Sequence, residues 1–261
     1  GSWDISVGAV FSVGGVAAAA LMSYYNLPIW LAVLAALAIG AAFGVFNGIL
    51  VQKIKLPPFI ATMGTMYVAR GLCTGYTKGV SVYPLPEKFL AIGQGGIKIG
   101  TYELPFVIVI ALVMAVIAGL ILRYTTYGRK LFAAGGNGEA ARLAGIPTVK
   151  IRFSAFVLTG ILAALTGVLM ASRVGSAQPN IGSGFEMTVV AACVIGGINM
   201  DGGAGSIVGV VMGSFFMAMI SNGMTLIKID AYWQQLVIGL VLVFACSLEF
   251  VRNRIRASLN R

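Results

Sequence analysis

The sequence predicts an all-α membrane protein, a polytopic helical bundle with about eight membrane segments in this chain. Three observations carry that expectation. Of 261 residues, 59% are hydrophobic and only 10% charged, against about 25% charged in an ordinary soluble domain. So few charges cannot cover the surface of a soluble protein of this size, so lipid must do the covering, and the mean hydropathy of +0.95 agrees. Apolar runs near 20 residues long also recur along the chain, the length a helix needs to cross a hydrocarbon core of ~30 Å.

The runs fall in order at 5–23, 29–51, 58–75, 105–123, 153–171, 187–199, 206–227 and 232–250. Seven of them are long enough to span. The sixth is too short to cross comfortably, and GSAQPNIGSGFE (175–186) and GGINMDGGAG (196–205) bracket it with Pro and Gly. Irregular backbone is not tolerated against lipid, so this element is read as a half-helix or re-entrant segment, with a short tilted helix as the plainer alternative. The 35 glycines suit close helix packing and interrupted helices in a bilayer. The chain opens GSWDISVG, without an initiator methionine or a charged leader. It therefore reads as having no signal peptide and as beginning partway into a longer protein.

Charge sets the expected orientation. With the C-terminus cytoplasmic, the stretches 52–57, 124–152 and 251–261 share one side. That side holds Lys53, Lys55, Arg123, Arg129, Lys130, Arg142, Lys150, Arg152, Arg252, Arg254, Arg256 and Arg261. The other side holds only Lys78, Lys88, Lys98, Arg173 and Lys228. By the positive-inside rule the first side is the cytoplasm, and the net charge of +10 is an orientation signal that needs no nucleic acid to explain it. The hydrophilic stretch 76–104 then lies outside, as a lid, a docking surface, or a solvated connection with a short strand or helix. The whole of 1–261 reads as a single membrane domain.

One hydrophilic stretch stands out on the cytoplasmic side. GGNGEAARLAGIPTVK (135–150) has Gly136 or Asn137 as N-cap and Glu139 in the first turn, favourable to the helix dipole. Ala140, Ala141, Arg142 and Leu143 are good helix formers, Gly145 suits a left-handed C-cap, and Pro147 stops continuation. At ~1.5 Å per residue such a helix is roughly 12 Å long, far too short to span. It suits seating in a groove on a partner.

GGNGEAARLAGI resembles the cytoplasmic coupling segment of the membrane subunit of ATP-binding-cassette importers, within the branched-chain amino acid/ribose permease family and specifically its ribose-type monosaccharide permeases. DISVGAV (4–10) and PPFIATMGTMYVARG (57–71) are similar to further blocks of that family. So is the run from RVGSAQPNIGSGFE (173–186) through VIGG to SNG (221–223). Ser2-Trp3 before Asp4, and Met200-Asp201 before Gly202-Gly203, depart from the usual pattern. The resemblance implies further helices upstream, an ATPase on separate cytoplasmic subunits, an external or periplasmic sugar-binding protein, and a second permease subunit, identical or different. It also implies a multi-pass place in the bacterial inner membrane. Coupling is then expected of Gly136, Asn137, Glu139, Ala140, Ala141, Arg142, Leu143 and Gly145.

The chain carries no chemistry of its own. GxxxxGK[ST] is absent, so no cofactor is expected here, and ATP with its Mg belongs to the partner ATPase. There is no histidine, no CxxC among Cys73, Cys193 and Cys246, and no HExxH or GxSxG. Metal sites, catalytic residues and intramembrane hydrolysis are accordingly not expected. Polar groups within or beside apolar segments usually face protein or water. That makes Asp4, Ser6, Asn47, Phe59, Thr62, Arg70, Gln178, Glu186 and Asn222 the candidates for a translocation path. Each also has a structural reading: Arg70 could pair with Asp4 or snorkel, Glu186 could serve its helix dipole, and the others could simply pack. The leading expectation is a permease for a ribose-like sugar. The alternatives are an autoinducer-type furanosyl compound, a nucleoside or a branched-chain amino acid as cargo, or a different class, an ion-coupled secondary transporter. That last class typically shows inverted repeats, and this sequence shows no convincing self-similarity.

Overall fold

The computed structural model describes residues 1–100 and 102–259. Among them are eleven helices and one two-stranded antiparallel hairpin: α1 (Val7–Ser23), α2 (Ile29–Gln52), α3 (Pro58–Thr77), α4 (Glu87–Gln94), β1 (Gly96–Ile99), β2 (Tyr102–Pro105), α5 (Phe106–Tyr124), α6 (Thr126–Gly136), α7 (Gly138–Leu143), α8 (Thr148–Val174), α9 (Phe185–Ile195), α10 (Ile207–Leu226) and α11 (Ala231–Leu259). Each of the eight expected segments coincides with a helix. Prolines start many of them: Pro28, Pro57, Pro86, Pro105 and Pro147 directly precede α2, α3, α4, α5 and α8. A proline's fixed φ suits a helix start, where its missing N–H is no loss.

Four helices are long and apolar enough to cross a membrane: α2, α5, α8 and α10. The all-helical membrane architecture therefore stands, while a count of eight spans is not established. Helix α1, α9 and the apolar part of α11 (Tyr232–Ser247) are shorter apolar helices. Helix α3 has 20 residues, but its glycines, threonines, tyrosines and Arg70 dilute it. Helix α9 stops at Ile195, earlier than expected, because Gly196 and Gly197 end it and Gly197 takes a φ of +80°. Eleven residues reach only about 16 Å. The tail from 251 continues α11 as far as Leu259, and Asn260 and Arg261 lie outside the described residues.

The chain forms two compact units, Ser2–Ser183 and Gly184 onward with Gly1. The first is built on α1, α2 and α8. A Cβ on Gly40 of α2 would collide with the Gly160 carbonyl of α8, and one on Gly160 with the Gly40 carbonyl, so the two backbones touch. Without a hydrophobic drive between helices in lipid, such close backbone packing is what holds a bundle. Helices α2 and α8 run antiparallel, since Gly40, Gly44 and Gly48 meet Gly160, Phe156 and Phe153 in turn. This places the 52–57 turn and the start of α8 at one end of the unit, called here the basic end.

At the opposite end, 76–104 is structured. Helix α4 lies on α8, with Phe89 fully buried and its carbonyl accepting from Ser172 Oγ at 2.5 Å. Ser23 Oγ donates to the Pro84 carbonyl at 2.6 Å, and Val82 pairs with Ala177. The stretch carries a short helix and a strand hairpin and is fastened to α1 and α8. In the second unit Ala191 and Ala192 of α9 pack on Met217 of α10, with Ile238, Val241 and Leu242 of α11 against them.

Candidate functional site

At the basic end, the residues before α1 form a buried polar knot. Ser6 N–H and Ser6 Oγ both donate to Asp4 Oδ1, at 2.9 and 2.6 Å. Asn47 Nδ2, from the last turns of α2, donates to Ser6 Oγ at 2.8 Å and reaches Asp4 Oδ2 at 3.5 Å. From α3, Thr62 Oγ1 accepts the Ile5 N–H at 3.1 Å and returns its own proton to the Pro58 carbonyl at 2.9 Å. Ser6, Asn47 and Thr62 are at most 1% exposed. The Asp4 carboxylate sits where the positive end of the α1 dipole stabilises it, and its turn onto Ser6 starts the helix. Three sequence candidates thus share one cluster with Asp4, and most of their groups are bonded to one another, while the buried Asn47 Oδ1 takes no hydrogen bond among the described residues. Phe59 is 52% exposed on the outer face of α3, and Arg70 is half-buried further along that helix.

The segment expected to be a half-helix or re-entrant element is α9, a short apolar helix; the stretch before it, between α8 and Gly184, turns back along α1. Ala177 is tied to Val82 at the end of α1 that carries Ser23, yet Gly182 N–H donates to Ser12 Oγ at 3.0 Å. From Ser23 back to Ser12 is about 16 Å along α1. Ser12 Oγ passes its proton to the Gly8 carbonyl at 3.3 Å, and a Cβ on Gly182 would collide with that carbonyl. Pro179 is buried and has no N–H to satisfy. Gln178 is exposed on this stretch. Glu186, 6% exposed, lies in the first turn of α9 in the second unit, and Asn222 is exposed on α10.

The basic end also carries the short hydrophilic helix. Asn137, and not Gly136, is its N-cap: Asn137 Oδ1 accepts from Glu139 N–H at 3.2 Å and Ala140 N–H at 2.9 Å, while Gly136 closes the preceding α6. At the other end, Gly145 N–H bonds the Arg142 carbonyl and Ile146 N–H the Ala141 carbonyl, with Gly145 at φ +79°. That is a Schellman motif, which needs the left-handed residue. Helix α7 therefore has six residues, about 9 Å, one turn shorter at most than the sequence suggested. Glu139, Ala140, Arg142, Leu143, Ala144 and Gly145 are exposed, Ala141 is buried, and Leu143 is 80% exposed.

Two features here escaped the sequence reading. The 124–152 stretch holds a second helix, α6, capped by Thr125 Oγ1 accepting from Gly128 N–H at 3.2 Å. Arg152 is a clamp: from α8 its Nη2 donates to the Ala134 carbonyl of α6 at 2.7 Å and lies against Gly138 at the start of α7. Tyr127 and Ser154 hydroxyls add a second tie at 2.8 Å. A basic residue in a basic stretch gives no sign of which cation turns inward. Thr125 followed by Thr126-Tyr127-Gly128 was the legible cap signal.

The family model for branched-chain amino acid transport system / permease component matches residues 1–246. The chain is 36% identical to the L-arabinose transport system permease protein of Escherichia coli K12, over 99% of this chain and 77% of that protein. It is 32% identical to the galactose/methyl galactoside import permease protein of the same organism, over 95% and 78%. It is 36% identical to the autoinducer 2 import system permease protein of Enterobacter sp. 638, over 99% and 73%. No solved structure matches it.

Proposed function

The chain belongs to the branched-chain amino acid transport system / permease component family, and from that premise we propose that it forms the translocation path for a monosaccharide of the ribose type in an ATP-driven importer. It is an inner-membrane, multi-pass permease with sugar-import permeases among its relatives. In this reading the basic end faces the cytoplasm, separate ATPase subunits hold ATP and Mg there, and an external binding protein delivers the solute. A second permease subunit completes the path.

The observation that carries the reading is α7. A helix of six residues, capped at both ends and braced through Arg152 to α8, presents Leu143 almost fully to solvent. Such a peg is suited to receiving a partner and passing its displacement to the bundle. Helix α8 in turn packs backbone to backbone on α1 and α2, which connects the α6–α7 region to the bundle. The test is to delete 136–145, or replace Glu139 or Arg142, in the assembled transporter. Loss of ATPase association or of ATP-dependent sugar uptake is expected. Full uptake after the deletion would refute the coupling role. The 36% identity to an autoinducer 2 import permease favours cargo of that furanosyl type as the second reading.

A further inference from the structure

We propose that the stretch Gln178–Ser183 lines the water-filled path from its Ser23 end, at Gln178, down to membrane depth, at Asn180 and Ser183, where these side chains hydrogen-bond the hydroxyls of a polyhydroxylated, uncharged solute. This rests on the permease reading above and names the part of the chain that would meet the cargo.

Depth is the first support. Between its ties to Val82 and to Ser12 the chain descends about 16 Å beside α1. That helix packs on the candidate spans α2 and α8, and the descent is roughly half of a ~30 Å hydrocarbon core. Within it, Pro179 and Gly182 are buried against the bundle, whereas Gln178, Asn180 and Ser183 are exposed. The backbone is anchored by the Gly182–Ser12–Gly8 relay and by Ser183 N–H on the Asn180 carbonyl at 3.0 Å, which fixes where the exposed side chains leave the chain. Irregular backbone and a carboxamide such as that of Asn180 at this depth are not compatible with acyl chains; they occur where they are buried in protein or line a water-filled cavity, and the exposure of Asn180 and Ser183 favours the cavity. The contrast is α5, whose outward residues include Ile108, Leu112, Val116 and Leu120, the composition of a lipid-facing wall.

Chemistry is the second support. A carboxamide offers two donors and one acceptor oxygen, and a serine hydroxyl offers both functions, matching the donor-and-acceptor character of sugar hydroxyls. From Val174 to Phe185 there is no charged side chain. A zwitterionic amino acid or an anion would find no counter-charge along this stretch, whereas a sugar needs none.

The experiment uses inside-out and right-side-out vesicles holding the assembled transporter. Single Gln178→Cys, Asn180→Cys and Leu112→Cys variants are treated with a membrane-impermeant cationic methanethiosulfonate reagent, against the parent chain as background. Modification of the 178 and 180 variants at least tenfold faster than Leu112→Cys is expected, followed by at least a fivefold loss of D-galactose or L-arabinose uptake. Asn180→Ala should lower uptake similarly while leaving ATPase co-purification unchanged. Labelling of Asn180→Cys as slow as Leu112→Cys would overturn the proposal. So would oxidative cross-linking of position 180 to a second copy without labelling, or labelling that leaves uptake intact. If instead the importer reading is at fault, labelling persists while uptake proves independent of ATP, so the two failures are distinct.

Discussion

Replacing Leu143 by alanine tests the proposed seating of α7 on the ATPase. Fully burying a leucine side chain contributes about 1.5–3 kcal/mol. Because Leu143 is 80% exposed, nearly all of that is available to a partner groove, some ~1.2–2.4 kcal/mol. At about 1.4 kcal/mol per tenfold, affinity between permease and ATPase should fall roughly 8- to 60-fold. The fold of the permease should not change, because the side chain contacts little within its own chain, alanine is the better helix former, and exposed substitutions usually stay within about ±0.5 kcal/mol. The assay is titration of the purified ATPase onto the permease in nanodiscs, with thermal unfolding of the permease alone as the control. An affinity within twofold of the parent, at unchanged melting temperature, would refute the idea that Leu143 is the apolar contact. A lowered melting temperature would equally refute the view that the residue is free of its own fold.

Other perturbations probe the braces behind that contact. Arg152→Ala removes a charged hydrogen bond to the Ala134 carbonyl, about 1.5–3 kcal/mol. ATPase binding should largely persist while ATP turnover no longer drives uptake, and parental uptake per ATP would argue against the clamp. Asp4→Ala strips the acceptor from Ser6 N–H, Ser6 Oγ and Asn47 Nδ2, and the melting temperature in detergent should drop by several degrees. Asp4→Asn should fall between, since it keeps one acceptor oxygen but turns an amide donor toward Asn47. Gly182→Ala places a methyl into the Gly8 carbonyl and Phe11, an overpacking of about 1–3 kcal/mol. Its expected signature is lower stability together with changed labelling at Asn180→Cys, and a silent substitution would contradict the close approach.

Sequence legibility tracked how local the governing physics is. The apolar runs that became α2, α5, α8 and α10 are set by transfer out of water, residue by residue, so composition sufficed. The caps of α7 were also readable, because Asn137, Gly145 and Pro147 act within four residues of themselves. Helix α6 was overlooked because its hydrophilic sequence, unlike an apolar run, looks the same as a solvated loop until Thr125 is recognised as its cap.

The polar residues show the opposite limit. Asp4, Ser6, Asn47 and Thr62 were all singled out as candidates, but beyond the local Asp4–Ser6 turn nothing in their spacing reveals that they meet, since the other contacts join residues more than forty positions apart. Arg152 and Arg129 are alike in sequence, yet only Arg152 is turned to the Ala134 carbonyl, a choice made by where α8 lies beside α6. Composition and local periodicity, then, were enough for membrane residence, helix positions and the short capped helix α7. Which polar groups are used up in packing, and which are left facing outward at depth, depended on tertiary contacts. A hydrogen bond's worth in lipid is decided by whichever group the fold brings within reach, and chain distance carries no information about that.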